Sequence, residues 1–323
     1  MASALPLKGC HVITILLTQK IAELFLILFA TAALVKIGLF SSDFSKVLSK
    51  VSLYFVTPCV VFNSFQKQLT PEVQQGLLVA VLLAIVFHLL FMLICGLLRR
   101  VWKLTEVEWA SIVFTNAGNL IIPLVSHALG PEWVIYVSGY ILVFNVLFWT
   151  LGLRVFDRQS AFNPRKILLN PNILAILAGT LVLFTGISLP EPVAIAFSDV
   201  AAMIGPLSMM ITGMVIGGMK PRQLIANRRI FGVLLIRMVI CSGAAVLLAV
   251  LCARSGLPFL GKSLVMIPLL SALAPSASNV NLVAILYNKD ASYASSINIM
   301  TTLSCIATIP LWIMVFDALA GLV

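Results

Sequence analysis

Two apolar stretches of this chain, about 150 residues apart, are each long enough to cross a bilayer, yet each carries helix breakers in its own middle. The first reads Asn116-Ala-Gly-Asn119-Leu-Ile-Ile-Pro123 and the second Pro275-Ser276-Ala-Ser278-Asn279-Val-Asn281. Backbone N–H and C=O groups released at membrane depth have no water to bond with, so such breaks survive only where protein or a water-filled cavity satisfies them. In carriers built from inverted repeats, breaks of this kind mark the substrate site.

The rest of the sequence agrees with a membrane setting. With 61% hydrophobic and 10% charged residues in 323, there is too little polar surface to cover a soluble globule, and an all-α polytopic membrane protein is expected. The net charge of +10 does not point to nucleic acid. Its basic residues lie in short clusters between apolar runs, with no interleaved aromatic platform. Cysteines 10, 59, 95, 241, 252 and 305 form no CxxC pair and are read as small apolar packing residues, so no disulfide, metal or cofactor is expected.

A window of about 20 residues per span gives ten helices, at 14–40, 47–66, 73–98, 106–128, 132–156, 168–187, 193–219, 228–252, 261–288 and 292–318. Val12 to Leu17 is a short apolar run with no clear small-residue cleavage site after it, and is kept as the beginning of the first helix. Fifteen of the 21 basic residues follow odd-numbered helices: Lys36, Lys46 and Lys50; Arg99, Arg100 and Lys103; Arg154, Arg158, Arg165 and Lys166; Lys220, Arg222, Arg228 and Arg229; and Lys289. The opposite side has Lys8, Lys20, Lys67, Arg254 and Lys262. The positive-inside rule then puts both termini outside the cell membrane. Five helices per half give halves of opposite orientation: a first repeat at 12–156, a short cytoplasmic loop at 157–167 and a second repeat at 168–318. Proline spacing agrees, since Pro58 and Pro206 lie 148 residues apart and Pro123 and Pro275 lie 152 apart.

Val56-Thr57-Pro58, the Asn116–Pro123 segment, Asn170-Pro171-Asn172 and the run from Ala274 to Asp290 with Pro310, in this order, resemble the auxin efflux carrier family of PIN-type carriers and bacterial relatives. The resemblance spans nearly the whole chain and is closest to compact bacterial members, because the central loop is only about a dozen residues. It implies helices 1, 2, 6 and 7 as scaffold, with a homodimer through helices 2 and 7. It also implies a transport domain of helices 3–5 and 8–10 whose broken helices 4 and 9 cross at the substrate. Plant members carry an acidic residue where Gln74 and Gln75 stand here, and a proline where Asn279 or Asn281 stands.

The chemistry of such a crossing suits an anion. A half-helix starting at midplane exposes uncapped N–H groups equivalent to about half a positive charge, and Asn116, Asn119, Ser276, Ser278, Asn279 and Asn281 add neutral donors. Neutral donors suit a carrier that must release its cargo. The plainer reading is that these side chains satisfy the broken backbone. Asn145, mid-span in helix 5, is a further substrate candidate, with an interhelical hydrogen bond as its alternative. Asn63 in helix 2 is a scaffold-side candidate. His88 reads as a core group rather than a proton relay, and His127 as a group in the site or at the outer interface. Arg237 either snorkels to the basic side or attracts anions along the path.

The sequence therefore favours a secondary carrier of small organic anions (carboxylates), working by an elevator-type movement. The alternatives are a sodium-coupled symporter of the bile-acid type and a transport-dead membrane sensor. No paired intramembrane aspartates, metal-spaced histidines or Ser-Lys pair argue for an enzyme, and no catalytic residue is expected.

Overall fold

A computed structural model of the protein describes residues 10–66, 70–157, 165, 168–187, 189–220, 222, 227–255 and 260–321. Lys8, Lys67, Arg158 and Lys166, and with them most of the predicted central loop, lie outside the described residues, as does the side chain of His127. The described residues are all-helical. In chain order the helices are α1 (Cys10–Lys36), α2 (Phe44–Ser64), α3 (Pro71–Trp102), α4 (Glu106–Val113), α5 (Ile122–Ala128), α6 (Pro131–Phe156), α7 (Pro171–Thr185), α8 (Glu191–Gly218), α9 (Arg229–Arg254), α10 (Lys262–Leu273), α11 (Asn279–Leu286) and α12 (Ala291–Ala320).

Six of these, α2, α3, α6, α8, α9 and α12, are long and apolar enough to cross a membrane. At about 1.5 Å per residue, some 20 residues match the hydrocarbon core. Leucines 78, 82, 89, 93 and 97 of α3 and 174, 177 and 181 of α7 are exposed. Such an apolar exterior is costly in water and at home against lipid. The α7 helix is shorter, at 15 residues, and α4–α5 and α10–α11 are the two interrupted stretches.

Prolines inside the apolar runs distort the helix in a regular way. Pro58 has no N–H to give to the carbonyl four residues back, and the turn before it, Ser52–Val56, widens to a π-helix in which Thr57 N–H reaches Ser52 O. Pro123 acts alike: the π-turn Ala117–Ile121 precedes it, and Ile122 N–H bonds to Ala117 O. Ahead of Pro206 the helix of α8 is interrupted at Met203.

Packing sorts the helices. The α1 helix lies along the second half of α8, and α2 packs against α7 and α8. The α3 helix packs on α6 and α10, and α9 packs on α10 and α12. Close approach of α1 to α8 depends on Gly213 and Gly217: a Cβ on Gly213 would lie 2.4 Å from the carbonyl of Leu28, and one on Gly217 2.8 Å from that of Ala32. This four-residue spacing of small residues lets two backbones come together without a hydrophobic driving force from water.

Helix ends carry the expected caps. Thr105 and Glu108 form a reciprocal capping box at the start of α4, and Asp290 accepts from Tyr293 N–H at the start of α12. One end of the bundle gathers the predicted same-side loops: Lys36 donates to Met219 O, Arg229 pairs with Glu108, and Lys289 pairs with Glu106. Lys262 and Asp317 pair elsewhere, between the start of α10 and the end of α12.

Candidate functional site

The α4 helix stops at Val113, and Phe114 turns the chain extended with φ −99° and ψ 131°. The α10 helix stops at Leu273, and Ala274 turns it extended with φ −58° and ψ 156°. The two freed segments then pair with each other. Asn116 N–H donates to Pro275 O at 2.8 Å, Ala277 N–H donates to Phe114 O at 3.0 Å, and Thr115 and Ser276 form an antiparallel bridge between them. Each break thus supplies backbone partners to the other, so neither needs water at that depth.

Side chains fix the junction from around it. Ser276 Oγ donates to Ser111 O at 2.7 Å, and Ser276 N–H donates to Thr301 Oγ1 at 3.2 Å. Asn298 Nδ2 donates to Ser276 O at 2.6 Å, and Thr115 Oγ1 donates to the buried Tyr140 hydroxyl at 3.3 Å. Phe114 is held edge-on by Phe144 and Phe148, with ring centroids 5.8 and 5.0 Å away. Ser111, Thr115, Tyr140, Asn298 and Thr301 escape the sequence reading. Serines and threonines in membrane helices ordinarily bond to their own preceding turn, as Thr301 also does to Ile297 O.

Of the residues predicted for the site, Asn116, Ser276 and Ser278 are brought together. Asn116 Nδ2 donates to Ser278 Oγ at 3.1 Å across the two breaks. Asn119 sits in the π-turn after the first break, and Asn279 opens α11 after the second. Both are half-buried, and their amides make no hydrogen bond among the described residues. The Oδ1 of Asn281 is buried without a partner there as well. Three amides beside the junction are therefore not consumed in satisfying the broken backbone.

The two prolines differ from their expected equivalence. Pro275 stands in the break itself and gives its carbonyl to Asn116. Pro123 stands within the first turn of α5, seven residues beyond Asn116, where it shapes the π-turn. The first break is made by tertiary pairing at Phe114–Asn116, where no local breaker stands.

Asn145 lies on α6 and is buried; its Nδ2 donates to Ile141 O at 3.0 Å, and its Oδ1 accepts from Asn170 Nδ2 at 3.5 Å. Asn170 in turn caps α7 by accepting from Asn172 N–H at 2.9 Å. The amide of Asn145 thus makes an interhelical contact and no hydrogen bond to the junction. Asn63 is half-buried on α2, the helix that packs against α7 and α8. His88 is fully buried; its Nδ1 donates to Ala84 O at 2.7 Å, and its ring lies 5.0 Å from that of Tyr140. Among the described residues no cluster of three His, Cys, Asp or Glu groups is placed to hold a metal.

Arg237 does not snorkel. It is fully buried in the π-helical segment Leu235–Cys241 of α9, with its guanidinium 4.9 Å over the Phe91 ring. One terminal nitrogen donates to both Ala272 O at 2.5 Å and Ala274 O at 2.6 Å. Those carbonyls belong to the C-terminal end of α10, which carries about half a negative charge. At a meeting of two broken helices, two negative C-terminal ends and two positive N-terminal ends converge and nearly cancel. Arg237 offsets one negative end, and no carboxylate lies in contact with the positive ones among the described residues. The balance favours an anion.

No curated protein matches the chain. A family match covers residues 16–163, from α1 past the end of α6, and leaves the second interrupted stretch outside it. Those residues match the family described as membrane transport protein, the family of PIN-type auxin efflux carriers.

Proposed function

We propose that this chain is a secondary carrier of small organic anions, chiefly carboxylates, with the carboxylate held where the α4–α5 and α10–α11 breaks meet. The observation that carries the reading is the pairing of Asn116 with Pro275 and of Ala277 with Phe114. It fixes two half-helix N-termini, at Ala117 and Asn279, beside the unspent amides of Asn119, Asn279 and Asn281. Backbone N–H groups and amides bind a carboxylate without a salt bridge, so release remains cheap. Arg237 sets the sign of the site from behind α10 rather than touching the cargo.

The movement we propose is of the elevator type, within ten spans arranged as two inverted five-helix repeats in the cell membrane with both termini outside. The packing of α1 along α8 and of α2 on α7 and α8 supports a fixed part, and the body of α3–α6 and α9–α12 that contains the junction, which α1 touches at α5 and α12, supports a moving one. A homodimer through α2 and α8 belongs to the same proposal. Both helices leave large apolar side chains uncovered, including Tyr54, Phe55, Ile195 and Met203.

Thermal unfolding of purified protein with a panel of mono- and dicarboxylates, with and without sodium, tests the binding. A carboxylate that binds the folded state raises the melting temperature by mass action, and we expect this without sodium. A rise only in sodium favours a coupled symporter. No rise with any carboxylate under either condition contradicts the proposal.

A further inference from the structure

Arg229 and its neighbour Arg228 enter α9 side by side but have different surroundings. The guanidinium of Arg229 is committed to Glu108: it donates to both carboxylate oxygens at 2.7 Å, and also to the carbonyls of Trp102 and Lys103. Glu108 is equally satisfied, since it also accepts from Tyr293 Oη at 3.0 Å and from Thr105 N–H at 2.8 Å. Arg228 is exposed and has no acidic partner among the described residues. A cavity of about 410 Å³ opens between α3 and α9 at this point, lined by Arg228, Arg229, Glu108, Trp102, Val101 and Val233 among others. With Glu108 neutralised by Arg229, Arg228 gives the cavity a net positive charge.

The cavity wall is built by close packing. The Trp102 ring lies so near Gly232 that a Cβ there would fall 2.1 Å from the ring, so the indole rests directly on the α9 backbone. From the cavity mouth two apolar rows run down the outside of the bundle at four-residue spacing. Val101, Leu97 and Leu93 lie on α3, and Phe231, Leu235 and Val239 on α9, all exposed. Side chains four apart on a helix share a face. A cation and a tryptophan at the head of a two-helix apolar seam match the profile of a phospholipid, with a phosphate above and acyl chains below.

We propose that the α3–α9 cavity binds an anionic phospholipid, its headgroup phosphate on Arg228 and against Trp102, its acyl chains along the Leu93–Val101 and Phe231–Val239 rows. The anionic charge is required because Arg228 is the cation left over. Chains are required because the exposed rows begin at the cavity, where Val101 lines it and Phe231 adjoins the lining residue Gly232. The site is separate from the junction of the broken helices and holds whether or not that junction binds carboxylates.

Binding is read on detergent-purified full-length protein by native mass spectrometry and thermal unfolding, with phosphatidylglycerol, phosphatidylcholine and glycerol 3-phosphate as probes. Phosphatidylglycerol is expected to bind and raise the melting temperature, phosphatidylcholine to do so far less, and glycerol 3-phosphate not at all. Arg228→Gln should weaken phosphatidylglycerol at least tenfold. Lys50→Gln, at an exposed lysine of α2, should leave it unchanged and so separates this cavity from general surface charge. Equal binding of phosphatidylglycerol to wild type and Arg228→Gln overturns the site. A shift with glycerol 3-phosphate as large as that with phosphatidylglycerol overturns the lipid in favour of a soluble phosphate, and equal loss in Lys50→Gln overturns the assignment to Arg228.

Discussion

Asn116 and Pro275, 159 positions apart, are joined by a main-chain hydrogen bond of 2.8 Å between two interrupted helices. The bond explains how each helix can stop inside an apolar core: the unpaired donor of one break is matched to the unpaired acceptor of the other. It also makes the geometry of one break depend on the other. Buried peptide groups left unpaired cost about 1 to 3 kcal/mol each, which gives the junction a defined structure rather than a loose one.

Pro275→Ala and Pro123→Ala should therefore differ. Pro275 lies in the paired segment, and alanine there restores an N–H that favours continuing α10 through the break, pulling the carbonyl away from Asn116. Anion binding should fall at least tenfold in Pro275→Ala. In Pro123→Ala only the π-turn relaxes toward α-helix, and a change of about threefold or less is expected. Side-by-side titrations on the two purified variants check this; equal losses would mean that the π-turn matters as much as the break.

Arg237→Gln should lower stability and selectivity together. The carbonyls of Ala272 and Ala274 lose a charged donor, at about 1 to 3 kcal/mol each, and the C-terminal end of α10 regains its negative potential. The melting temperature should drop. Among folded molecules the preference for a carboxylate over its neutral amide analogue should shrink, while Arg237→Lys should keep much of it. An unchanged preference in Arg237→Gln would leave Arg237 a packing residue only.

Much of this architecture is legible in the sequence, because long apolar runs with capped ends declare themselves. The expected helix at 132–156 appears as Pro131–Phe156 and that at 73–98 as Pro71–Trp102. The capping box of Thr105 and Glu108 is written in the spacing of the two residues. The first break is misplaced by the sequence because Pro123 is the local breaker in view, whereas the helix actually ends where Pro275–Ala277 offers it backbone partners. The direction of Arg237 is likewise hidden. A π-segment has no compositional mark, and an arginine on an apolar helix normally reaches for the interface unless carbonyls such as those of Ala272 and Ala274 are freed nearby. Ser276 was readable as a site residue from the second break, but Asn298 and Thr301, which hold it, belong to a helix whose own pattern is unremarkable.

Gly213→Leu and Gly217→Leu should separate α1 from α8. Side chains at these positions meet the backbone carbonyls of Leu28 and Ala32, and overpacking of this kind costs about 1 to 3 kcal/mol or more. Thermal stability should fall in both. Anion affinity per folded molecule should stay within about twofold, because Gly213 and Gly217 face α1 and not the paired segments; a much larger loss of affinity would show that the contact of α8 with the π-turn Ala117–Ile121 carries α1–α8 packing into the site.

The orientation rests on the clustering of basic residues after odd-numbered helices. Single cysteines placed at residue 160 and near residue 321, on a background lacking the six native cysteines, report it by labelling in intact cells. The expected result is protection at 160 and reaction at 321 with an impermeant reagent. The opposite pattern would invert the molecule in the membrane.

The central claim is that the junction holds the anion, and equilibrium binding of a radiolabelled carboxylate to purified wild type, Asn116→Ala and Asn119→Ala tests it most directly. Asn116 reaches Ser278 across the breaks, and the Asn119 amide makes no hydrogen bond among the described residues. Hydrogen bonds to a charged group are worth about 1.5 to 3 kcal/mol, so each variant should bind at least tenfold more weakly while its melting temperature without ligand stays near that of wild type. Wild-type affinity in both variants would contradict the account and return these amides to a purely structural role.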